Sequence, residues 1–501
     1  MKKVAAFPCC RRVKNVLSCC AIVLSLAACG GGDDAGVAAP PVSAPEPPAA
    51  AVHSAVTVGA ASGTVAAAQT SFPTEWQKAG SAETCAPKPG LEHEVVELYQ
   101  FLLGRYPDPE GLKFWTDVAN SEGNTVNVER GMRASLEYAS LTERSSLRRY
   151  ASPSGRDSNT GSTRDSPWSL ARATTSVAPG TVVFVLPGTY GDVKTHSAGN
   201  ATGRIRYVSS LPYCAKIKGS SERAMWENKG DYTDIAGFDV TGSGANGILN
   251  HASFTRVVGN YVHHLTINNF VCDGNGGSGI NNANYTAREG RGDIIGNVVH
   301  DIGIPGTCNR VQGIYSSRKG ARIYNNVVFR AASVGIHLWH AAEDTIIANN
   351  TVFSNGGLHP ATKPNEKPHL IGGGIYAGVV AKQKSKMNNV VIINNIVFDN
   401  PRHGIRVYCE HDCYGSGNRI AHNLVNKSET RVATGKVPAT ETLDADPQFV
   451  NYQRDGTGNY RLVVGSPAID RGTDRPGPPT DLDGVPGRHD GRLDLGAYER
   501  H

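Results

Sequence analysis

The chain has 501 residues, enough for two domains and a large core, with 50 Lys and Arg against 45 Asp and Glu. Five of the basic residues (Lys2, Lys3, Arg11, Arg12 and Lys14) fall in the first 28 positions, where no acidic residue stands, so the remainder balances at 45 against 45. That neutral remainder offers no charge excess for a nucleic-acid partner or an anionic membrane surface.

Residues 1–28 read as an export signal, with a basic start and then an apolar run from Val16 to Ala28 that is too short to span a bilayer. The run ends in Leu26-Ala27-Ala28-Cys29, which resembles the bacterial lipobox. The resemblance implies that Cys29 is lipidated and becomes the mature N-terminus, and Gly30 fits delivery to the outer membrane. The expected protein is an outer-membrane lipoprotein, facing the periplasm or the cell surface and touching the membrane through its lipid anchor only. Residues 29–75 are Ala, Pro, Gly and Ser with little else, a composition that forms no core and reads as a flexible tether.

Of the 11 cysteines, Cys9, Cys10, Cys19 and Cys20 leave with the signal and Cys29 carries lipid. Cys85, Cys214, Cys272, Cys308, Cys409 and Cys413 remain, an even set that in an exported protein points to disulfides rather than metal ligation. Cys409 and Cys413 are close enough to staple one turn, and Cys272 and Cys308 each precede a Gly-Ile strand start on adjacent rungs, which pairs them. Elimination leaves Cys85 with Cys214.

Residues 76–148 turn helical. Val95, Leu98, Tyr99 and Leu102 fall at helical spacing until Gly104, and Asp108-Pro109 opens the next helix with a cap and a first-turn proline. The stretch from Leu98 to Trp115, followed by Leu136-Glu-Tyr138, resembles a small helical domain similar to phycobilisome linkers, which implies a positioning module without chemistry.

From residue 149 to 501 the pattern changes to a repeat. Six segments begin with Gly-Ile, at Gly247, Gly279, Gly313, Gly335, Gly374 and Gly404, and each later passes an Asn: Asn260, Asn297, Asn326, Asn350, Asn395 and Asn423. The Asn spacing runs from 24 residues (Asn326 to Asn350) to 45 (Asn350 to Asn395). Three residues before the Asn stands Val257 or an isoleucine, two residues after it a valine, and the next position reads His263, His300, Phe329, Phe353, Phe398, Asn426. Constant strands separated by variable loops suit a solenoid, whose rungs bury aliphatic columns by stacking about 4.8 Å apart while corner amides bond along the stack. A parallel β-helix is the expected fold.

Tyr150-Ala-Ser-Pro-Ser-Gly-Arg-Asp, Ser166-Pro167-Trp168 and Pro187-Gly-Thr-Tyr190 resemble the opening of pectate-lyase-like right-handed parallel β-helix proteins. Asp446-Pro-Gln-Phe449, Gly465-Ser-Pro-Ala-Ile-Asp470 and Asp494-Leu-Gly-Ala-Tyr-Glu499 are similar to their closing segment. The resemblance implies a mainly β, right-handed parallel β-helix solenoid behind the small N-terminal all-α domain. It also implies a cap helix at about 167–177.

Strand alternation turns the residue after each Ile outward, making a column of Leu249, Asn281, Tyr315, His337, Tyr376 and Arg406. Two residues on lies a second column of His251, Ala283, Ser317, Trp339, Gly378 and Tyr408. Aromatic faces beside polar groups suit sugars, and Tyr, His and Arg together match β-elimination on a uronic acid. In that reading Arg406 offsets the carboxylate, His337 removes the C5 proton, and Tyr315 or Tyr376 protonates the leaving oxygen. Trp339, Tyr408, Asn281 and His251 bind substrate, with Arg318 and Lys319 as reserve cations. The competing reading is that these rings merely pack beneath a loop such as 355–373.

The expected function is a polysaccharide lyase on a uronate-containing polymer, an acidic polysaccharide being the partner of a monomer. A non-catalytic binding or adhesive protein, a C5-epimerase and a glycoside hydrolase are the alternatives on the same fold. Hydrolysis fits less well, because glycosidases place two carboxylates across the bond and neither column holds one. Many pectate lyases use Ca²⁺, but the nearest match here, Asp273-Gly274-Asn275-Gly276, has a single charged ligand, so no cofactor or metal is expected, with Ca²⁺ the weakly supported alternative. His263 and His300 extend the Phe column and read as structural, and His264 has no assigned role.

Overall fold

The computed structural model describes residues 81, 83–86, 90–267, 276–283, 290–340, 343–361, 365–379, 386–409, 413–473, 480–484 and 492–500. Within them the chain winds through three parallel sheets of eleven, nine and nine strands, each ordered as the strands occur in sequence. The first sheet runs from Leu147–Ala151 to Ala439–Thr440, the second from Gly188–Tyr190 to Leu424–Asn426, and the third from Val193–Thr195 to Thr430–Ala433. This is a parallel β-helix.

The sequence columns are the rung register. Val257, Ile294, Ile323, Ile347, Ile392 and Ile420 pair in succession along the first sheet. Val262, Val299, Val328, Val352, Val397 and Val425 do so along the second. The six Gly-Ile isoleucines do so along the third. All three columns are buried in one core, because β-branched side chains on facing sheets interdigitate only when every rung repeats them. The Gly of each Gly-Ile pair has a packing cause: a Cβ on Gly313 would sit 2.4 Å from Val328 Cγ1. Glycine lets the second-sheet valine rest on the third-sheet backbone.

The corner between first and second sheets is an amide ladder. Each Asn Nδ2 donates to the next Asn Oδ1, at 3.0 Å from Asn260 to Asn297 and 2.9 Å from Asn326 to Asn350. The backbone N–H of Asn297 also donates to Asn326 Oδ1 at 2.9 Å. The residue before each Asn is left-handed (Gly259, Gly296, Asn325, Asn349, Asn394, His422), which turns the corner and explains the recurrent Gly-Asn and Asn-Asn pairs. A shorter ladder, Asn228 to Asn250 to Asn282, lines the corner between third and first sheets.

Two segments cover outer faces. The helices Glu92–Leu98, Pro109–Glu122, Val126–Ala134 and Leu136–Ser140, with the π-helical turn Tyr99–Leu103, pack Leu98, Phe101 and Trp115 against Val182, Phe184 and Val208 of the first sheet. Asp108 caps the second helix through Gly111 N at 2.7 Å, as expected. The buried Arg206 reaches from the first sheet to the carbonyls of Gln100 and Gly104, and Cys85 is bonded to Cys214. The cap helix is shorter than expected, Leu170–Thr175, because its N-cap is Ser169, whose Oγ accepts from Arg172 N at 3.1 Å. At the other end Phe449, Tyr460, Leu462 and Tyr498 lie over the ring column of the second sheet, where His300, Phe329 and Phe353 stack at 4.5 and 4.8 Å.

Candidate functional site

The outward column of the third sheet is in register as expected. Asn281 pairs with Tyr315, Tyr315 with His337, His337 with Tyr376, and Tyr376 with Arg406. The aromatic strip beside it forms through one small residue. A Cβ on Gly378 would stand 2.7 Å from Trp339 Cζ3 and 3.0 Å from Tyr408 Cζ, so only glycine lets those two rings stack across the intervening rung, at 5.0 Å. His337 sits among four rings: Tyr315 at 5.7 Å, Trp339 at 5.7 Å, Tyr376 at 6.1 Å and Tyr408 at 6.4 Å. Its Nε2 lies 3.2 Å from the Tyr408 hydroxyl. The Arg406 guanidinium covers both Tyr408, at 5.0 Å, and Tyr376, at 5.6 Å.

The electrostatics are cationic. Burial, with His340 and Arg406 adding to it, pushes His337 down to about 3, and burial with Arg406 and Arg402 lowers His403 to about 4. Both imidazoles are therefore neutral at ordinary pH, and Arg402 and Arg406 carry the fixed charge. The outward column holds no carboxylate from Leu249 to Arg406.

Six expected residues assemble here: Tyr315, His337, Trp339, Tyr376, Arg406 and Tyr408. Tyr376 is the exception in its availability. It is 6% exposed and its hydroxyl donates to the Gly372 carbonyl, while burial raises the phenol to about 12. The expectation that it could serve as the acid is corrected on that ground. Tyr315, His337, Trp339, Arg406 and Tyr408 are half-buried.

The other expected binding residues are engaged elsewhere. Arg318 is 0% exposed, with Nη1 on the Gly290 carbonyl at 2.9 Å and Nη2 on that of Ala283 at 3.1 Å, so it is no reserve cation for a substrate. Asn281 is buried and donates to Asn246 Oδ1 at 2.9 Å. Lys319 pairs with Asp344 at 3.4 Å and Glu343 at 3.7 Å. His251 faces Arg223 at 3.1 Å and Glu227 at 3.4 Å. The hairpin of Gly357–His359 and His369–Ile371 bonds through His359 to the Gly306 carbonyl, and Gly372, which follows it, accepts from the Tyr376 hydroxyl.

Sequence reasoning missed two neighbours. His403 lies 5.8 Å from Tyr376, one residue before its Gly-Ile pair. Glu227 continues the outward column one rung before Leu249, where Trp226 replaces the Gly-Ile isoleucine and hides the register. Arg223 and Lys229 hold it at 2.9 and 3.5 Å.

Cys409 and Cys413 are bonded, closing the turn beside Tyr408. Cys308 is disulfide-bonded, and Cys272, expected as its partner, lies outside the described residues, as do Cys29 and the Asp273–Asn275 turn. The strip does not suit Ca²⁺. A hard dication takes six to eight oxygen ligands, and the groups here are imidazoles, phenols and two guanidiniums that would repel it.

No known family model matches the chain. It is 24% identical over 381 residues to pectate lyase L of Dickeya chrysanthemi, spanning 65% of this chain and 85% of that protein. It is 26% identical over 312 residues to pectate lyase L of Paenibacillus polymyxa, 57% of this chain and 65% of that one. Among solved structures, pectate lyase Pel9A superposes with a TM-score of 0.51 at 18% identity, covering 72% of this chain and 98% of its own. The shared feature is the parallel β-helix.

Proposed function

We propose that the chain is an exported polysaccharide lyase that cleaves a uronate-containing polymer by β-elimination at the third-sheet strip. One observation carries this reading: Arg406 lies over Tyr408, whose hydroxyl meets His337 Nε2, in a stretch of the column, Leu249 to Arg406, that holds no carboxylate. The likeness to pectate lyase L over 85% of that protein's length supports it.

Arg406 receives the uronate carboxylate, which acidifies the C5 proton. His337 is the proton acceptor, acting through Tyr408. As the phenol oxygen takes the C5 proton, its own proton passes to Nε2. A bound uronate raises the low basicity of His337 by offsetting the imidazolium that forms. The C4–oxygen bond breaks as the C4–C5 double bond forms, and Tyr315, on the opposite side of His337, protonates the leaving oxygen. Trp339 offers a face for a neighbouring sugar. No step runs through a metal ion. The disulfides fit an oxidising compartment, in keeping with export and with an outer-membrane anchor at Cys29.

The test is the ultraviolet absorbance of 4,5-unsaturated uronates released from a panel of pectic and alginate polymers. Arg406→Ala should lower kcat/KM by about 10²–10³-fold, the usual cost of removing one charge-stabilising donor. No unsaturated product from any uronate polymer would overturn the reading. A non-catalytic carbohydrate-binding protein is the second reading, favoured by the buried Tyr376 and the enclosed His337 Nδ1. Polymer binding without product, lost equally in Arg406→Ala, would select it.

A further inference from the structure

The second sheet holds a cluster that the sugar chemistry does not use. Where the stack of Phe rings gives way to histidine, one ring nitrogen from each of His263, His264 and His300 lies within 4.8 Å of the other two. His263 and His300 are register partners on adjacent rungs, their rings stacked at 5.3 Å. His264 follows in a left-handed conformation and is 66% exposed at its side chain. It turns back so that its Nδ1 meets His263 Nδ1 at 2.7 Å.

The surrounding bonds orient these rings. His263 Nε2 faces Asp239 Oδ1 at 2.9 Å, and a carboxylate there can only accept, so Nε2 carries the hydrogen and Nδ1 the lone pair. His300 Nε2 faces the Tyr261 hydroxyl at 2.9 Å. Its Nδ1 faces Asp301 Oδ2 at 2.6 Å, and that carboxylate also lies 3.9 Å from His264 Nε2. Arg330 holds the other oxygen of Asp301 at 2.5 Å. Imidazoles whose outer nitrogens are fixed by a carboxylate and a hydroxyl, with a further carboxylate beside them, are the arrangement that steers histidine onto a metal.

We propose that His263, His264 and His300 bind a divalent transition-metal ion of the Zn²⁺ class, with water in the fourth position, and clamp two adjacent rungs. Nitrogen-rich donors favour such an ion over Ca²⁺ or Mg²⁺. Metal–nitrogen bonds of about 2.0–2.1 Å set ligand atoms roughly 3.4 Å apart, so the close His263–His264 pair opens slightly and His300 closes in by about an ångström. The hydrogen now shared between the two Nδ1 atoms moves to the far nitrogen of His264, which faces Asp301, and the hydrogen that His300 Nδ1 gives to Asp301 moves to Nε2, where the Tyr261 hydroxyl turns to accept it; no redox change is involved.

The experiment uses the full chain without a polyhistidine tag, stripped with chelator and titrated with Co²⁺ and then Zn²⁺. Expected are one equivalent of Co²⁺ with visible absorption of tetrahedral strength, its displacement by Zn²⁺, and a Zn²⁺-dependent rise in Tm. His264→Ala, at an exposed position that leaves the core intact, should abolish the Co²⁺ band. Asp239→Asn should weaken Zn²⁺ by roughly 10–100-fold, and His369→Ala, at a separate surface histidine, should change nothing. A chain that takes up no Co²⁺, or one whose His264→Ala variant binds it equally well, overturns the proposal.

Discussion

Asn326→Ala tests the amide ladder at its centre. The side chain makes four bonds: Nδ2 donates to the Ile294 carbonyl at 3.0 Å and to Asn350 Oδ1 at 2.9 Å, and Oδ1 accepts from Asn297 N at 2.9 Å and Asn297 Nδ2 at 3.0 Å. Asn350 Oδ1 keeps a donor in the Asn326 backbone N–H, and Asn297 Nδ2 keeps the Val257 carbonyl. The Asn297 backbone N–H and the Ile294 carbonyl lose the partner supplied by this amide in a corner closed to water. At about 1–3 kcal/mol for each buried group left short, together with a small cavity, the expected loss is roughly 3–5 kcal/mol. Guanidinium unfolding followed by circular dichroism should show it as a lower midpoint with an unchanged slope. Asn426→Ala removes an amide whose bond to Asp444 is exposed, and should cost under about 1 kcal/mol. If Asn326→Ala cost no more than Asn426→Ala, the reasoning that corner amides hold the rungs together would fail.

Gly378→Ala should leave the fold intact but push Trp339 and Tyr408 apart, lowering the elimination rate by about 10²-fold, as misplacement by an ångström does; circular dichroism and the unsaturation assay together check this. Stability should peak between about pH 4.5 and 6.5 in thermal melts. Burial lowers His337 to about 3, and His300 and His403 to about 4, so the stability they provide is whole above pH 6.5 and drains as pH falls toward those values. Burial raises Glu97 to about 7 and Glu499 to about 8, so their contribution is whole below pH 4.5 and drains as pH rises through those values. The two trends oppose each other between pH 4.5 and 6.5, and a melt series that rises steadily from pH 4 to pH 9 would contradict the assignment. Cys85→Ser removes a bond closing a 129-residue separation, worth about 4–5 kcal/mol in the chain-entropy account, and should expose the helical segment to limited proteolysis before the β-helix unfolds.

The β-helix was legible in the sequence because its determinants are local and repeated. A β-branched residue, a left-handed corner, an Asn and a valine recur at fixed offsets whatever the loop length, so Val299, Val328 and Val352 could be set side by side before any coordinates. The same register placed Tyr315, His337, Tyr376 and Arg406 in one line. Glu227 escaped because its rung carries Trp226 where the motif has isoleucine, and a column read from one motif ends where that motif does.

What each outward residue is free to do was decided only in three dimensions. Alternation says that Tyr376 leaves the core, but not that its hydroxyl donates to the Gly372 carbonyl, and it gives no sign that the carbonyls of Gly290 and Ala283 occupy the Arg318 guanidinium. Those partners lie at separations the repeat does not encode, on turns whose lengths vary from rung to rung. Periodicity thus determined direction, because a strand alternates its faces by covalent geometry alone. Availability belonged to the tertiary structure, because a polar group's remaining hydrogen-bonding capacity depends on every chain segment folded against it.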